Sequence, residues 1–171
     1  MGAGILPVAV YRGALFILLG QERNNNLWAD FGGSHAKNED NYSTAIREGT
    51  EELNGILGDK NKLRKKVNEN LIVSISNNSD KYKSYVFSIK YDKNLIEYFS
   101  NINKFAEEYL KDKIIKEHNG LFEKTEIKWF NIDTFKDKEE LKIIRPHYQQ
   151  IVNSVYNRRH FIKSEIYKKY N

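Results

Sequence analysis

The chain of 171 residues contains no cysteine, which excludes a disulfide framework and any thiolate metal site and fits a reducing compartment. It also lacks any apolar run approaching the roughly 20 residues that a membrane-spanning helix needs. The apolar start, Met1 to Tyr11, has no basic leader before it and no small-residue cleavage pattern, so no signal peptide is expected. Internal repeats, low-complexity blocks and linkers are missing too. Together these absences point to a cytoplasmic, soluble protein with no membrane partner.

What is present suits one globular domain. Hydrophobic residues make up 40% of the chain and aromatics 13%, enough apolar surface to offset chain entropy. The length matches an ordinary single domain over residues 1–171, with a basic helical C-terminal extension from about residue 146 to 171. The net charge of +5 and a pI near 9.2 suit a surface that attracts polyanions such as nucleotides or RNA. Scattered lysines from A/T-biased codon usage explain the same charge equally well.

Local patterns give an order of elements. Ala3 to Tyr11 and Ala14 to Leu19 are β-prone runs separated by Arg12-Gly13, a hairpin signature. Gln21 to Asn26 reads as a polar loop, and Leu27 to Phe31 leads into Gly32-Gly33, read as a tight loop. From Asn41 to Asn54, Ala45, Gly49 and Leu53 recur every fourth position, predicting a helix capped by Asp40 or Asn41 and ended by Asn54-Gly55. Leu71 to Ser76 and Lys83 to Lys90 are expected strands around a turn at Asn77 to Asp80. A helix is expected over Leu95 to Ile115, stopped by Asn119-Gly120, then a short strand at Glu126 to Phe130. Pro146 is placed to open a helix running through Ile151 and Val155, and Phe161 to Tyr170 continues as a basic tail helix. The fold class is α/β (α+β): a mixed sheet sandwiched between helices.

The chemistry concentrates between Gly32 and Ile56. Glu48, Glu51 and Glu52 are spaced i, i+3 and i+4, which brings their side chains to one side of a helix, where like charges repel by roughly 0.2–0.5 kcal/mol per pair. A hard divalent cation with oxygen ligands offsets that repulsion; a merely solvated charged helix is the plainer alternative.

Five residues separate Gly33 from Glu39, and seven more precede Arg47-Glu48-Gly49-Thr50-Glu51-Glu52. This stretch resembles the Nudix box, whose pattern is Gly, five residues, Glu, seven residues, Arg-Glu, an apolar residue, any residue, Glu-Glu, any residue, Gly, apolar. Every charged position from Gly33 to Glu52 is matched. Two positions depart: Gly49 replaces the apolar residue, and Asn54-Gly55 stands where Gly and an apolar residue are usual. Gly49 costs about 1 kcal/mol of helix stability relative to Ala but lets the helix approach the sheet, and Asn54 tolerates the left-handed turn.

The resemblance implies a Nudix-type fold and a metal-dependent pyrophosphohydrolase that uses Mg²⁺ or Mn²⁺ to cleave a nucleoside diphosphate linked to another group. By the same resemblance Glu48, Glu51 and Glu52 are the metal ligands, with the carbonyl of Gly32 completing the shell, while Glu39 and Arg47 orient them. The general base is then Glu51 or Glu52, or a Glu from a later loop, Glu123, with Glu126 its rival. Arg23 and Lys124 are candidate phosphate contacts, though both can equally be surface residues. Trp28, Phe31, Tyr85, Phe122 and Trp129 offer stacking faces, yet aromatics at such positions more often build a core. His35 reads as a solvent-facing loop residue.

Substrate choice lies outside the box. Small nucleotides are one class and RNA 5′ ends, including caps, another; Lys60 to Lys66 and the basic residues from Arg158 to Lys169 lean modestly toward RNA. A non-catalytic nucleotide- or RNA-binding module is the third reading, and the oligomeric state is left open.

Overall fold

The computed structural model describes residues 1–110 and 121–170. Its first hairpin forms as expected: β1 (Gly2–Tyr11) and β2 (Ala14–Glu22) pair antiparallel around Arg12 (φ 49°) and Gly13 (φ 78°), two left-handed residues that match the twist of the flanking strands. Pairing between β1 and β2 runs from Tyr11–Ala14 back to Val8–Ile17. Beyond that the strands part, and two short strands enter the fork: β3 (Trp28–Ala29) joins β2, and β4 (Phe31–Ser34) joins β1.

Gly32 and Gly33, expected in a loop, are therefore strand residues, paired with Gly4 and Ala3. Neither has a positive φ, so they are small for want of space. A methyl group at Gly32 would lie 2.2 Å from the Tyr82 hydroxyl, and one at Gly33 would lie 2.5 Å from the Glu48 carboxyl.

The helix expected from the fourth-position pattern is α1 (Asn41–Glu52), with Asp40 accepting from the Ser43 N–H as its cap. Leu53 closes it, and Asn54 (φ 49°) and Gly55 (φ 71°) make the left-handed exit. A methyl group on Gly49 would meet Ile5 at 2.4 Å, so its absence lets α1 lie against β1.

Helix α2 (Lys60–Asn70) is a correction, because the sequence offered Lys60 to Lys66 only as a basic run. Asp59 caps it, and Leu63 and Val67, four residues apart, bury its single apolar stripe. Strands β5 (Leu71–Ser76) and β6 (Tyr82–Ser88) follow, then α3 (Asn94–Tyr109) and β7 (Lys124–Asn131). The expected continuation of α3 to Ile115 and its stop at Asn119-Gly120 lie outside the described residues. Two 3-10 turns, Ile132–Lys136 and Glu140–Ile143, lead to α4 (Gln149–Asn157) and α5 (Arg159–Tyr170). Pro146 sits in the turn before α4 instead of opening it.

The sheet is mixed. β6 runs parallel to β1, the other pairings between the described strands are antiparallel, β7 joins β2, and β5 forms the edge beside β6. Alternation along β1 divides the core into two layers. Ala3, Ile5 and Ala9 face α1, α2 and α3 with Phe31, Phe87 and Phe99; Leu6 and Val8 face the C-terminal helices with Tyr148, Ile151, Val155 and Ile162. The residues from Ile151 to Ile166, expected as an extension, thus cover the second face of the sheet.

Candidate active site

Arg47, midway along α1, organises the site. Its Nε and Nη2 donate to Glu39 at 3.1 and 2.9 Å, and Nη2 also reaches the Ser34 carbonyl at 3.0 Å. Its Nη1 is shared between Glu48 at 2.8 Å and Glu51 at 3.2 Å. A rigid planar fork with five N–H donors suits such multiple contacts. Glu39 accepts further from the Ala36 N–H and the Thr44 hydroxyl. The Arg47 guanidinium above all holds the Glu39 carboxyl down to about 2, and Glu39 in turn raises Arg47. Glu39 and Arg47 so tie the loop after β4 to the helix.

Glu52, the next residue after Glu51, takes a different course. Its side chain is only 3% exposed, accepts from the Gly32 N–H at 2.7 Å and lies 3.3 Å from the Lys124 ammonium. Lys124 is itself fully buried and bonds Glu22 at 2.5 Å, which Arg145 also contacts at 2.8 Å. Beside this group Asp30 accepts from the Tyr82 and Ser84 hydroxyls, each at 2.6 Å. Burial pushes Glu52 well above the ordinary carboxylate range and Asp30 up to about 6. Burial acts to lower Lys124, but Glu52 and Glu22 outweigh it and the ammonium is raised. Glu48, Glu51 and Glu52 therefore border one cleft with different partners: the first two share Arg47, and the third forms a buried floor with Lys124.

That cleft encloses about 810 Å³, within the usual range for a small-molecule site. Glu48, Glu51 and Glu123 line it, together with Gly32, Gly33, Asn24, Asn77, Tyr82 and, on the basic side, Lys81, Arg145 and His147. Burial raises Glu48 and Glu51, and the Glu123 charge adds to both. Its rival Glu126 points elsewhere, exposed on β7 opposite Gln21. The other expected contacts are engaged away from the cleft. Arg23 bonds Glu107 and the Phe122 carbonyl, Trp28 packs edge-on against Phe130 in the core, and Lys124 is enclosed beneath Glu52. Phe31 and Trp129 are core residues as well, Tyr85 meets Tyr42 edge-on, and His35 bonds Asn41.

Sequence reasoning missed Glu22, Asp30, Tyr82, Lys81, Arg145 and His147. Asp30 carried a usable signal, an acid inside the apolar run Leu27-Trp-Ala-Asp-Phe31 that must find partners when buried. Arg145 and His147 only flank a proline.

No family model matches the chain, and neither does any curated protein. Solved structures do. A C. elegans Ap4A hydrolase binary complex is similar at a TM-score of 0.53 and 16% identity, over 96% of this chain and 99% of that one. The chain has the Nudix hydrolase fold. A second similar structure is the bifunctional NMN adenylyltransferase/ADP-ribose pyrophosphatase from Francisella tularensis, complexed with AMP and a manganese ion, with a TM-score of 0.51 and 16% identity, over 91% of this chain but 41% of that one.

On this Nudix framework, no three His, Cys, Asp or Glu side chains among the described residues stand together as a ready-made metal cage. The donors still fit a hard divalent cation. Glu48, Glu51 and Glu123 present only carboxylate oxygens to the same cleft, and the charges of Glu51 and Glu123 both raise the Glu48 carboxyl, a repulsion that such a cation relieves.

Proposed function

We propose that this Nudix-fold chain is a metal-dependent pyrophosphohydrolase that cleaves the diphosphate bond of a nucleoside diphosphate linked to another group, working in the cytoplasm. The observation that carries this reading is a cleft lined by the carboxylates Glu48, Glu51 and Glu123 and also by Lys81, Arg145 and His147. Phosphate oxygens suit the Lys81 and Arg145 cations, and the carboxylates suit a metal and an attacking water. The C. elegans Ap4A hydrolase and the F. tularensis ADP-ribose pyrophosphatase, which share the fold, support the same substrate class.

Glu48 and Glu51, with Glu52 and the Gly32 carbonyl behind them, are the proposed holders of Mg²⁺ or Mn²⁺. Such an ion, when bound, neutralises phosphate charge and lowers the pKa of a coordinated water. Arg47 orients Glu48 and Glu51, and Glu39 holds Arg47 in place. Lys124 fixes the position of Glu52 from below. Glu123 takes the proton of the attacking water at its carboxylate. Lys81 and Arg145 bind phosphate oxygens. Burial and Arg145 hold His147 below its ordinary pKa, so at neutral pH its imidazole contributes a neutral N–H donor.

The test is a panel of nucleoside triphosphates, dinucleoside polyphosphates, nucleotide sugars and cap-labelled RNA, incubated with Mg²⁺ or Mn²⁺ beside a Glu51→Gln control. Metal-dependent products absent from the control establish the hydrolase and name its substrate class. Product from the capped RNA alone identifies an RNA 5′-end or decapping enzyme. Binding of nucleotide or RNA that survives Glu51→Gln, with no product anywhere, replaces catalysis with a binding role.

A further inference from the structure

Asn54 stands where the Nudix box has glycine. Both residues accept the left-handed conformation that ends α1, and Asn54 adopts it (φ 49°). Only asparagine, however, brings a side chain, and here both ends of that side chain are used. Its Oδ1 accepts from the Phe122 N–H at 3.0 Å, and its Nδ2 donates to Asn103 Oδ1 at 2.9 Å. Asn103, only 5% exposed in the middle of α3, donates onward to the Lys124 carbonyl at 2.9 Å and the Thr125 carbonyl at 3.2 Å.

The two amides therefore grip the chain on both sides of Glu123. Phe122 needs such a grip. It is held at a φ of 61°, a conformation that costs free energy for a bulky side chain. Arg23 closes the third side, donating its Nε to the Phe122 carbonyl at 3.2 Å and its backbone N–H to the Glu123 carbonyl at 3.1 Å.

We propose that Asn54 and Asn103 form a positioning clamp that aims Glu123 at the reacting water, so that the end of the metal-binding helix sets the place of the general base. This rests on the reading of Glu123 as base. The clamp touches no substrate; it fixes the distance between two parts of the site that lie far apart in sequence. A misplacement of about 1 Å can cost on the order of 10²-fold in rate, whereas substrate affinity has no cause to change.

The decisive variant is Asn54→Gly, which keeps the left-handed turn and removes both hydrogen bonds. It is assayed in the wild-type and Glu123→Gln backgrounds, with amide exchange read at Phe122 and the melting temperature checked. We expect a folded protein whose Phe122 amide exchanges faster, whose kcat falls by about 10- to 100-fold at nearly constant KM, and whose loss disappears in the Glu123→Gln background. Asn54→Asp retains the acceptor for Phe122 and is expected to restore its protection. Unchanged Phe122 exchange, or an equal loss of kcat in both backgrounds while Glu123→Gln is itself impaired, overturns the clamp and leaves the base standing. Wild-type turnover in Glu123→Gln alone removes the base and the clamp with it.

Discussion

Glu51 and Glu52 are consecutive residues on one helix with opposite surroundings. Glu51 is 28% exposed, held by a guanidinium that remains partly open to the cleft, whereas Glu52 is 3% exposed and enclosed with Lys124, Glu22 and Asp30. One helical step of about 100° separates them, enough to carry a side chain from the rim to the floor. In the proposed function the rim exchanges partners when substrate and metal arrive. The floor is a satisfied ionic cluster whose members are fixed from several strands. Activity should therefore depend most on the rim, and stability most on the floor.

The sharpest test of that division is Glu123→Gln. Removal of a general base costs roughly 10² to 10⁴ in rate, and because Glu123 is exposed the melting temperature should hardly move; a large loss of stability would blur rim and floor. Lys124→Met should do the reverse, destabilising the fold by about 3–5 kcal/mol in chemical denaturation, because Glu22 and Glu52 lose their buried cation. A stable Lys124→Met protein would show that the floor relaxes or takes up protons instead.

Arg47→Lys falls between. Lysine keeps the charge but cannot reproduce the fork, so activity or metal affinity should drop roughly 10- to 100-fold, measured by kinetics and metal titration with stability nearly preserved.

The smallest effect concerns pH and the metal-free protein. Asp30 is raised to about 6 in the fold from 3.8, so its stabilising contribution is full below the unfolded value and is lost as pH rises through about 6. Glu39 is lowered to about 2 from 4.5, so its contribution is present above the unfolded value and is lost as pH falls toward about 2. Denaturation followed against pH should lose its slope between about 4 and 6 in Asp30→Asn, and between about 2 and 4.5 in Glu39→Gln. The same profile in both variants would mean that floor and rim titrate together.

Much of this was legible in the sequence. The Arg12-Gly13 hairpin, the capped box helix and its Asn54-Gly55 exit are local matters, governed by residues within a turn of one another, and they formed as expected. Helix α2 was hidden because only Leu63 and Val67 mark its buried face among lysines and asparagines. Gly32-Gly33 read as a loop because glycine advertises conformational freedom; their true constraint, the nearness of Tyr82 and Glu48, is tertiary. The box residues Glu39, Arg47, Glu48 and Glu51 lie together as the spacing implied. The buried cluster escaped because Glu22 and Lys124 belong to different strands and Asp30 to the link between β3 and β4, and no spacing in the chain announces that they meet.

β7 starts at Lys124, paired with Glu22, and its ladder with β2 shifts by one position between Gln21 and Glu22. Glu123 in the open cleft and Lys124 in the interior are thus told apart only by where that ladder begins. A slip of a single residue would bring an ammonium to the place of the proposed base and a threonine hydroxyl to the place of the buried cation, leaving Glu52 without its cation and Glu22 with Arg145 alone. For this chain the alignment of one strand is a chemical variable: the same residues, offset by about 3.3 Å, would put a cation where the proposed base stands.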